Sequence, residues 1–96
     1  MPADIISLID VKAPEGFSTY MVLSIEIAVE YWVKLVLEAG FVGAINGTLP
    51  RHQQVVVAVF LDMASLESWK TSSAYQPLVP LRENSSTQVM TAYQAG

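Results

Sequence analysis

Residues Gln54 to Asp62 have the sequence QVVVAVFLD, an unbroken apolar run between a polar and an acidic residue. The run is β-branched and aromatic and is short for a buried helix, so it predicts a strand that is buried on both faces. Side chains of a strand alternate between its two faces. One face of this strand therefore carries Val55, Val57, Val59 and Leu61, and the other carries Val56, Ala58 and Phe60.

The small size of the chain makes both faces of such a strand difficult to cover. The chain has 96 residues, of which 52% are hydrophobic and 15% charged, and its mean hydropathy is +0.40. A small domain has proportionally more surface and should be more polar than this. The apolar excess indicates a large subunit interface, an apolar cavity, or both. Because the helices of so short a chain can cover only one side of a sheet, we expect a second copy to cover the other.

Charge and composition exclude several classes of function. The formal net charge is −4 and the five basic residues are scattered, whereas nucleic-acid binding needs a positive surface. The chain has no cysteine, which excludes disulfides and thiolate chemistry. The first residues lack the features of a signal peptide, and charges interrupt the apolar region Phe17–Leu37, so it is a poor membrane span. We therefore expect a cytoplasmic protein with no nucleic-acid or membrane partner.

The first half of the chain predicts a strand, a helix and a second strand. Asp4–Lys12 alternates loosely and predicts strand one. A helix follows from about Glu15 to Tyr31, because Pro14 suits a helix start and apolar residues recur every three or four positions. Val33–Ile45 is β-branched and leucine-rich and predicts strand two, with a bulge near Glu38–Gly40.

The second half predicts the remaining elements after the strand that starts at Gln54. Asp62 or Ser65 caps a short second helix that buries Leu66 and Trp69. Tyr75–Arg82 predicts an irregular or short helical segment, and Thr87–Gln94 alternates as strand four. The order β-α-β-β-α-β is that of the ferredoxin-like unit, a four-stranded antiparallel sheet with both helices on one face. We expect one α+β domain over residues 1–96.

Several motifs in this chain resemble those of the domain-of-unknown-function family 1330. In the first half, the motif APEGF (residues 13–17) with Tyr20 resembles the family's opening motif. In the second half the similarity includes Gly47-x-x-Pro50, the strand of residues 55–60, Trp69, the segment SSAYQ (residues 72–76) and Pro80-x-Arg82.

This resemblance implies a homodimeric α/β barrel in which two sheets pack face to face and pockets lie between sheet and helices. The superfamily includes cofactor-free monooxygenases, isomerases, cyclases, haem enzymes and binding proteins, so the fold alone does not select a function. The chain departs from the family pattern where Trp32-Val33 replaces a Gly-Gly pair, Glu38 replaces an arginine and Ala74 replaces a glutamate. The bulky apolar pair would reshape the pocket, and the lost glutamate and arginine remove polar groups. Together these changes imply a ligand more hydrophobic than is typical.

Four side chains are candidates for chemistry. His52, the chain's one histidine, is either an exposed loop residue or a general acid or base at the pocket mouth. Arg82 either binds a substrate carboxylate or enolate or forms a structural ion pair. Tyr20 and Tyr75 bind either a backbone carbonyl or a ligand oxygen.

Four aromatic residues are candidate walls of the ligand pocket, or simply core: Phe17, Trp32, Phe60 and Trp69. No spacing of ligating residues indicates a metal site, and we expect no cofactor. The sequence therefore predicts a homodimer that binds a hydrophobic small molecule in an apolar pocket between sheet and helices. It would act as a cofactor-independent enzyme of the cyclase or isomerase type. The alternative is a non-catalytic binding or accessory protein of the same fold.

Overall fold

A four-stranded antiparallel sheet forms the centre of the computed structural model, which describes residues 1–95. The strand order is β2-β3-β1-β4, so that β1 and β3 are central. This arrangement confirms the predicted ferredoxin-like fold. The elements in chain order are β1 (Ala3–Val11), α1 (Pro14–Val29), β2 (Lys34–Gly40), β3 (Gln54–Phe60), α2 (Met63–Thr71), a 3₁₀ turn (Gln76–Leu78), α3 (Val79–Ser85) and β4 (Ser86–Gln94).

One face of the sheet packs against the helices and forms the core. Along β1 every second side chain, from Ala3 to Ile9, is buried, as the alternation of a strand requires. The register pairs Ser7 with Val56, which brings the even-numbered residues of β3 to the same face. The buried apolar cluster joins this face to α1, α2 and the 3₁₀ region through Ala3, Ile5, Tyr20, Ala28, Phe60, Leu66, Trp69 and Tyr75.

The opposite face of the sheet is also apolar but is less covered. Ile6 of β1 lies opposite Val57 and Thr91, and Leu8 lies opposite Val55 and Val89. These residues, which we call the bare face, are half-buried or exposed. The central strands therefore present apolar side chains on two sides, while the helices pack against only one of them. The prediction that β3 is buried on both faces therefore holds on the helix-facing side of the single chain. On the bare face the residues of β3 are only half-buried.

Strand β2 differs in two ways from its prediction. It ends at Gly40 rather than at Ile45, and an irregular connection of residues 41–53 follows. Its bulge lies between Leu35 and Leu37, not near Glu38–Gly40, which instead continues the regular pairing with β3. The extra residue shifts the alternation, so that Leu35 faces the helices and Leu37 lies on the bare face with Val57.

The motif at the start of α1 has a structural explanation. Pro14 and Glu15 lie in the first turn. Backbone N–H groups there have no partner within the helix, so the missing N–H of proline costs nothing, and the positive end of the helix dipole stabilises the carboxylate of Glu15. A Cβ atom at Gly16 would lie 3.1 Å from Ser85 Cβ, so glycine allows α1 to approach α3 closely. The backbone N–H groups of Lys12 and Ala13 both donate to the Ser85 carbonyl, at 2.8 and 2.9 Å. The motif therefore docks α1 onto α3.

The helix ends show one expected cap and one strained cap. Asp62 Oδ1 accepts a hydrogen bond from Ser65 N at 2.7 Å, which confirms Asp62 as the cap of α2 and lowers the pKa of its carboxyl. At the end of α1, Val33 N donates to Ala28 O and Trp32 N donates to Val29 O, the pattern of a Schellman motif. Trp32 occupies its left-handed position with φ of 64°, where glycine is usual.

No helix within residues 1–95 is both long enough and apolar enough to cross a membrane.

The Trp32 conformation leads to a stability prediction. Because a non-glycine residue in the left-handed region costs roughly 1–2 kcal/mol and glycine loses about 0.5–1 kcal/mol in chain entropy, Trp32→Gly should raise the free energy of unfolding by about 0.5–1 kcal/mol. Urea denaturation with an unchanged m-value measures this gain. Trp32→Ala is the control, since it removes the indole and keeps the strained Cβ. Equal stabilities of the glycine and alanine variants would contradict the strain.

Candidate functional site

An apolar cavity of about 290 Å³ lies between α1 and the helix-facing side of the sheet. It forms there because all four strands present residues on this side of the sheet and α1 presents residues spaced by about one turn. Most of the lining is aliphatic or aromatic, and the polar side chains in it are neutral. From α1 the lining includes Tyr20, Met21, Ser24, Ile25, Ala28 and Val29, and from the sheet Ile5, Ser7, Ile9, Leu35, Val56, Ala58, Phe60, Gln88 and Met90.

A chain of hydrogen bonds reaches the wall of this cavity. The hydroxyl oxygens of Tyr20 and Tyr75 are 2.8 Å apart, and Arg82 Nη1 donates to the Tyr75 hydroxyl at 2.9 Å. Tyr20 is 3% exposed and Tyr75 is 1% exposed, so both phenols lie inside the protein. These three side chains come from α1, from the segment before the 3₁₀ turn and from α3, and we call them the hydroxyl chain.

The chemistry of the donors fixes the direction of one hydrogen bond in the hydroxyl chain. Arginine has only donors, so the Tyr75 oxygen accepts from Arg82, whereas either phenol can be the donor between Tyr20 and Tyr75. When the Tyr75 hydroxyl then donates to Tyr20, the proton of Tyr20 is free to point into the cavity. Burial and the neighbouring Tyr75 raise the pKa of Tyr20, so Tyr20 keeps its proton and can act as a donor. Burial lowers the pKa of Arg82, but the adjacent hydroxyls of Tyr75 and Tyr20 raise it by more, and the guanidinium remains charged.

The segment that follows α2 positions Tyr75. Ser72 Oγ donates to the Trp69 carbonyl at 2.8 Å and accepts from Tyr75 N at 3.0 Å. Gln76 Nε2 donates to the Lys70 carbonyl at 2.6 Å. The Trp69 ring packs on Tyr75 with centroids 4.2 Å apart. Three residues of the family-like SSAYQ segment, Ser72, Tyr75 and Gln76, therefore form a turn that holds the central phenol of the hydroxyl chain.

A second cavity of about 380 Å³ lies beside the first. It is more polar, because Arg82, Tyr75, Glu67 and Lys70 line it. Lys70 is paired with Glu67 at 3.2 Å, which leaves Arg82 as the cation without a close carboxylate among these lining residues. The two cavities share four residues, which we call the shared wall: Ile5, Trp69, Gln88 and Met90.

Five of the eight predicted site residues come together. Tyr20, Tyr75 and Arg82 form the hydroxyl chain, and Phe60 and Trp69 line the apolar cavity. Their rings are in contact, with Phe60 and Trp69 centroids 5.4 Å apart. The structure therefore builds one aromatic and hydroxyl-bearing site from residues between positions 20 and 82.

The other three predicted residues lie outside both cavities. His52 is 8% exposed, its Nδ1 donates to the Pro50 carbonyl at 2.6 Å, and its ring packs against Phe41. Trp32 is 72% exposed at the end of α1. Phe17 packs against the edge of the core cluster. His52 is thus a packed residue of the β2–β3 connection, apart from the hydroxyl chain.

Sequence reasoning missed the neutral polar residues of the lining. Ser7 and Ser24 lie on the buried faces of β1 and α1, and Gln88 on β4 belongs to the shared wall. The available signal was a serine at a core position of an apolar strand, and a serine one turn after Tyr20 on the helix stripe. No group of three potential metal ligands occurs within residues 1–95.

The raised pKa of Tyr20 predicts a specific pH dependence of stability. An unfolded tyrosine ionises near pH 10, roughly, whereas folded Tyr20 remains protonated above that pH. The folded state then binds more protons than the unfolded state, so the free energy of unfolding falls as the pH rises. The contribution of Tyr20 is complete below about pH 10 and is lost above it.

Tyr20→Phe should therefore make the slope of the free energy of unfolding against pH less steep by up to about 1.4 kcal/mol per pH unit. Urea unfolding at a series of fixed pH values between about 9 and 11.5 covers this range. Tyr31→Phe is the matched control, because Tyr31 lines neither cavity. Parallel stability curves for the wild type and Tyr20→Phe would contradict the assignment.

Comparison with solved structures places the fold among known proteins. A protein of unknown function from Rhodopseudomonas palustris is 16% identical, with a TM-score of 0.77 over 99% of this chain and 84% of that chain. SnoaB, a cofactor-independent oxygenase from Streptomyces nogalater, is 14% identical, with a TM-score of 0.71 over 99% and 93%. A dimeric ferredoxin-like protein of unknown function from Jannaschia sp. CCS1 is 10% identical, with a TM-score of 0.72 over 99% and 100%.

These identities are low, and the similarity is one of fold. No curated protein matches this chain in sequence. One family model does, the Domain of unknown function DUF1330, over residues 2–95. Because the match extends over nearly the whole chain and agrees with the ferredoxin-like fold, the chain belongs to the DUF1330 family.

Proposed function

We propose that this protein binds a hydrophobic small molecule in the apolar cavity and catalyses its cofactor-independent isomerisation or cyclisation. One observation carries the proposal. The hydroxyl chain, charged at Arg82, ends on Tyr20 at the wall of a cavity that is otherwise almost wholly apolar. A hydroxyl donor supported by a guanidinium, in a pocket that is mostly apolar, is an arrangement that binds and polarises one oxygen of a hydrophobic ligand.

The proposed chemistry is enolisation of a ligand ketone. A water molecule or a buffer base takes the α-proton, because the described lining carries no basic side chain, and the electron pair of the broken C–H bond moves toward the carbonyl oxygen. Tyr20 donates a hydrogen bond to a ligand carbonyl, and the bond strengthens as negative charge develops on that oxygen. Tyr75 and Arg82 support the donor from behind, because each hydrogen bond of the chain polarises the next. Removal of one such donor costs about 10²–10³ in kcat in enzymes that use them. Orientation of the ligand by the aromatic wall contributes the rest.

The comparison with SnoaB supports the cofactor-independent part of the proposal and not the type of reaction. SnoaB is a cofactor-independent oxygenase, so one protein with this fold acts on its substrate without a cofactor. At 14% identity the likeness extends to the fold, and the activity of this chain is inferred from its own cavity and hydroxyl chain.

A second candidate function is non-catalytic binding, and one observation favours it. Tyr20 and Tyr75 are already hydrogen-bonded to each other, so their hydroxyls are satisfied within the protein and can be purely structural. In that case the cavity would hold a ligand for transport or for presentation to another protein. The two functions differ in whether the bound ligand reacts.

The proposed assembly is a homodimer built on the bare face. Ile6, Leu8, Val55 and Val57 form a continuous apolar surface across the two central strands. Contiguous apolar surfaces on small proteins mark interaction sites, and a ferredoxin-like neighbour from Jannaschia sp. CCS1 is dimeric. An isologous contact would pair this surface with its own copy.

A model ketone tests the proposed catalysis. 2-Tetralone is an apolar two-ring ketone whose α-hydrogens exchange with deuterium through its enol. Wild-type protein should accelerate this exchange, observed by proton NMR, and Tyr20→Phe should reduce the acceleration about 100-fold because the donor is lost. Arg82→Met should reduce it less, because Arg82 acts through Tyr75.

Two controls match these variants. Tyr31→Phe and Arg51→Met each remove the same group from a residue outside both cavities, and they should leave the exchange rate unchanged. Binding of 2-tetralone without any acceleration would favour the non-catalytic function. If 2-tetralone neither binds nor exchanges faster in the presence of the protein, both functions are contradicted.

The dimer has its own test. Val57→Lys places a charge at the centre of the bare face and should convert a dimer of twice the 10.5 kDa chain mass into a monomer in sedimentation velocity. Val22→Lys, on an exposed site of α1, is the control and should remain dimeric. A wild-type chain that sediments as a monomer at all concentrations would contradict the proposed assembly.

A further inference from the structure

A buried hydrogen-bond donor without a partner lies in the wall of the apolar cavity. Trp69 is 6% exposed, and its Nε1 has no hydrogen-bond partner among the described residues. A buried donor that remains unpaired costs about 1–3 kcal/mol, and native proteins rarely leave one without a reason. The indole N–H of Trp69 is enclosed and has no acceptor among residues 1–95, so an acceptor from outside the chain reaches it after a small rotation of the indole toward the cavity.

The position of this indole is set by its neighbours. Trp69 packs against Phe60 on one side and against Tyr75 on the other, with centroid distances of 5.4 and 4.2 Å. It belongs to the shared wall and so contacts both cavities. The same ring therefore contributes to the apolar cavity and stacks on the central phenol of the hydroxyl chain.

The chemistry of the site restricts what can bind this N–H. An indole N–H only donates, so the missing partner is an acceptor. The residues that line the apolar cavity include no charged side chain among those described, which favours a neutral oxygen over a carboxylate. Tyr20 supplies another donor in the same lining. The rest of the lining is mostly apolar and would contact the hydrocarbon part of a ligand.

We propose that Trp69 is a ligand-binding residue whose Nε1–H binds a neutral carbonyl or hydroxyl oxygen. The ligand class is then an apolar ring compound that carries such an oxygen, a cyclic ketone, a phenol or an enol. This inference rests on the proposed function, because it requires that the ligand occupy the apolar cavity. An apolar cavity of about 150 Å³ can hold benzene, so a cavity of about 290 Å³ accommodates a two-ring compound.

Three probes that differ in one group test the proposal: naphthalene, 2-naphthol and 2-naphthoate. The Kd of each is measured by equilibrium dialysis, whose readout does not depend on the tryptophans. 2-Naphthol should bind the wild type more tightly than naphthalene. Trp69→Phe should weaken 2-naphthol binding about fivefold to tenfold more than naphthalene binding, since one hydrogen bond is lost. The ratio of the two Kd values removes the effect of the changed ring volume.

Trp32→Phe is the matched control, because Trp32 is the other tryptophan of the chain and lies outside both cavities. Its Kd ratio should equal that of the wild type. It also assigns the two indole N–H resonances in a nitrogen–proton NMR spectrum. The Trp69 resonance of the wild type should move downfield with 2-naphthol and much less with naphthalene, which tests the hydrogen bond even if Trp69→Phe does not fold.

Each remaining outcome has a defined meaning. An unchanged Kd ratio in Trp69→Phe, or an indole resonance that responds equally to both probes, would mean that the ligand oxygen does not bind the N–H, and the inference would be wrong. Tighter binding of 2-naphthoate than of 2-naphthol, lost in Arg82→Met, would also overturn it in favour of an anion site. If naphthalene itself does not bind, the proposed function fails together with this inference.

Discussion

The structure depends on one constraint, that the two central strands are apolar on both faces while the helices of the chain pack on one. β1 and β3 pair along seven residues, and each carries apolar side chains on both sides. The helix-facing side becomes the core, and the space that α1 leaves above it becomes the cavity. The other side becomes the bare face. Because both faces of the central strands carry apolar side chains, the mean hydropathy is high for a small domain.

The hydroxyl chain is a consequence of how the helices pack on that core. α1 carries Tyr20, α3 carries Arg82, and the turn formed by Ser72 holds Tyr75 between them. Gly16 is part of the same arrangement, because its missing side chain lets α1 approach α3 at Ser85. The motif at the start of α1 and the SSAYQ segment therefore act together. One sets the distance between two helices, and the other places a phenol in the gap.

Trp32 and Ala74 are two positions at which this chain differs from the family pattern. The Gly-Gly pair that the family places after Tyr31 falls where α1 ends in a Schellman motif, and this chain puts Trp32 in the left-handed position. Ala74, in place of the family's glutamate, lies beside Tyr75 in the turn that carries the hydroxyl chain. Arg82 is hydrogen-bonded to the Tyr75 phenol at 2.9 Å and lies 3.9 Å from Glu83. Neither Trp32 nor Ala74 is among the residues that line the apolar cavity.

The sequence alone determined the order of the strands and helices along the chain, the antiparallel ferredoxin-like fold and the presence of a second apolar face, and it limited the cap of α2 to Asp62 or Ser65. These features are local or periodic, since residue alternation and capping act over a few neighbouring positions. The end and the bulge of β2 were not predictable in this way, because they depend on pairing with β3.

Only the tertiary structure decided which candidate residues share a site. Tyr20 and Tyr75 are 55 positions apart, and no local pattern relates them. His52 looked as suitable as Arg82 in the sequence, yet it packs on Phe41 in the β2–β3 connection. The unpaired N–H of Trp69 is likewise invisible to sequence patterns. A site of this kind is set by how distant elements pack, because contact between side chains depends on the whole fold and not on their spacing along the chain.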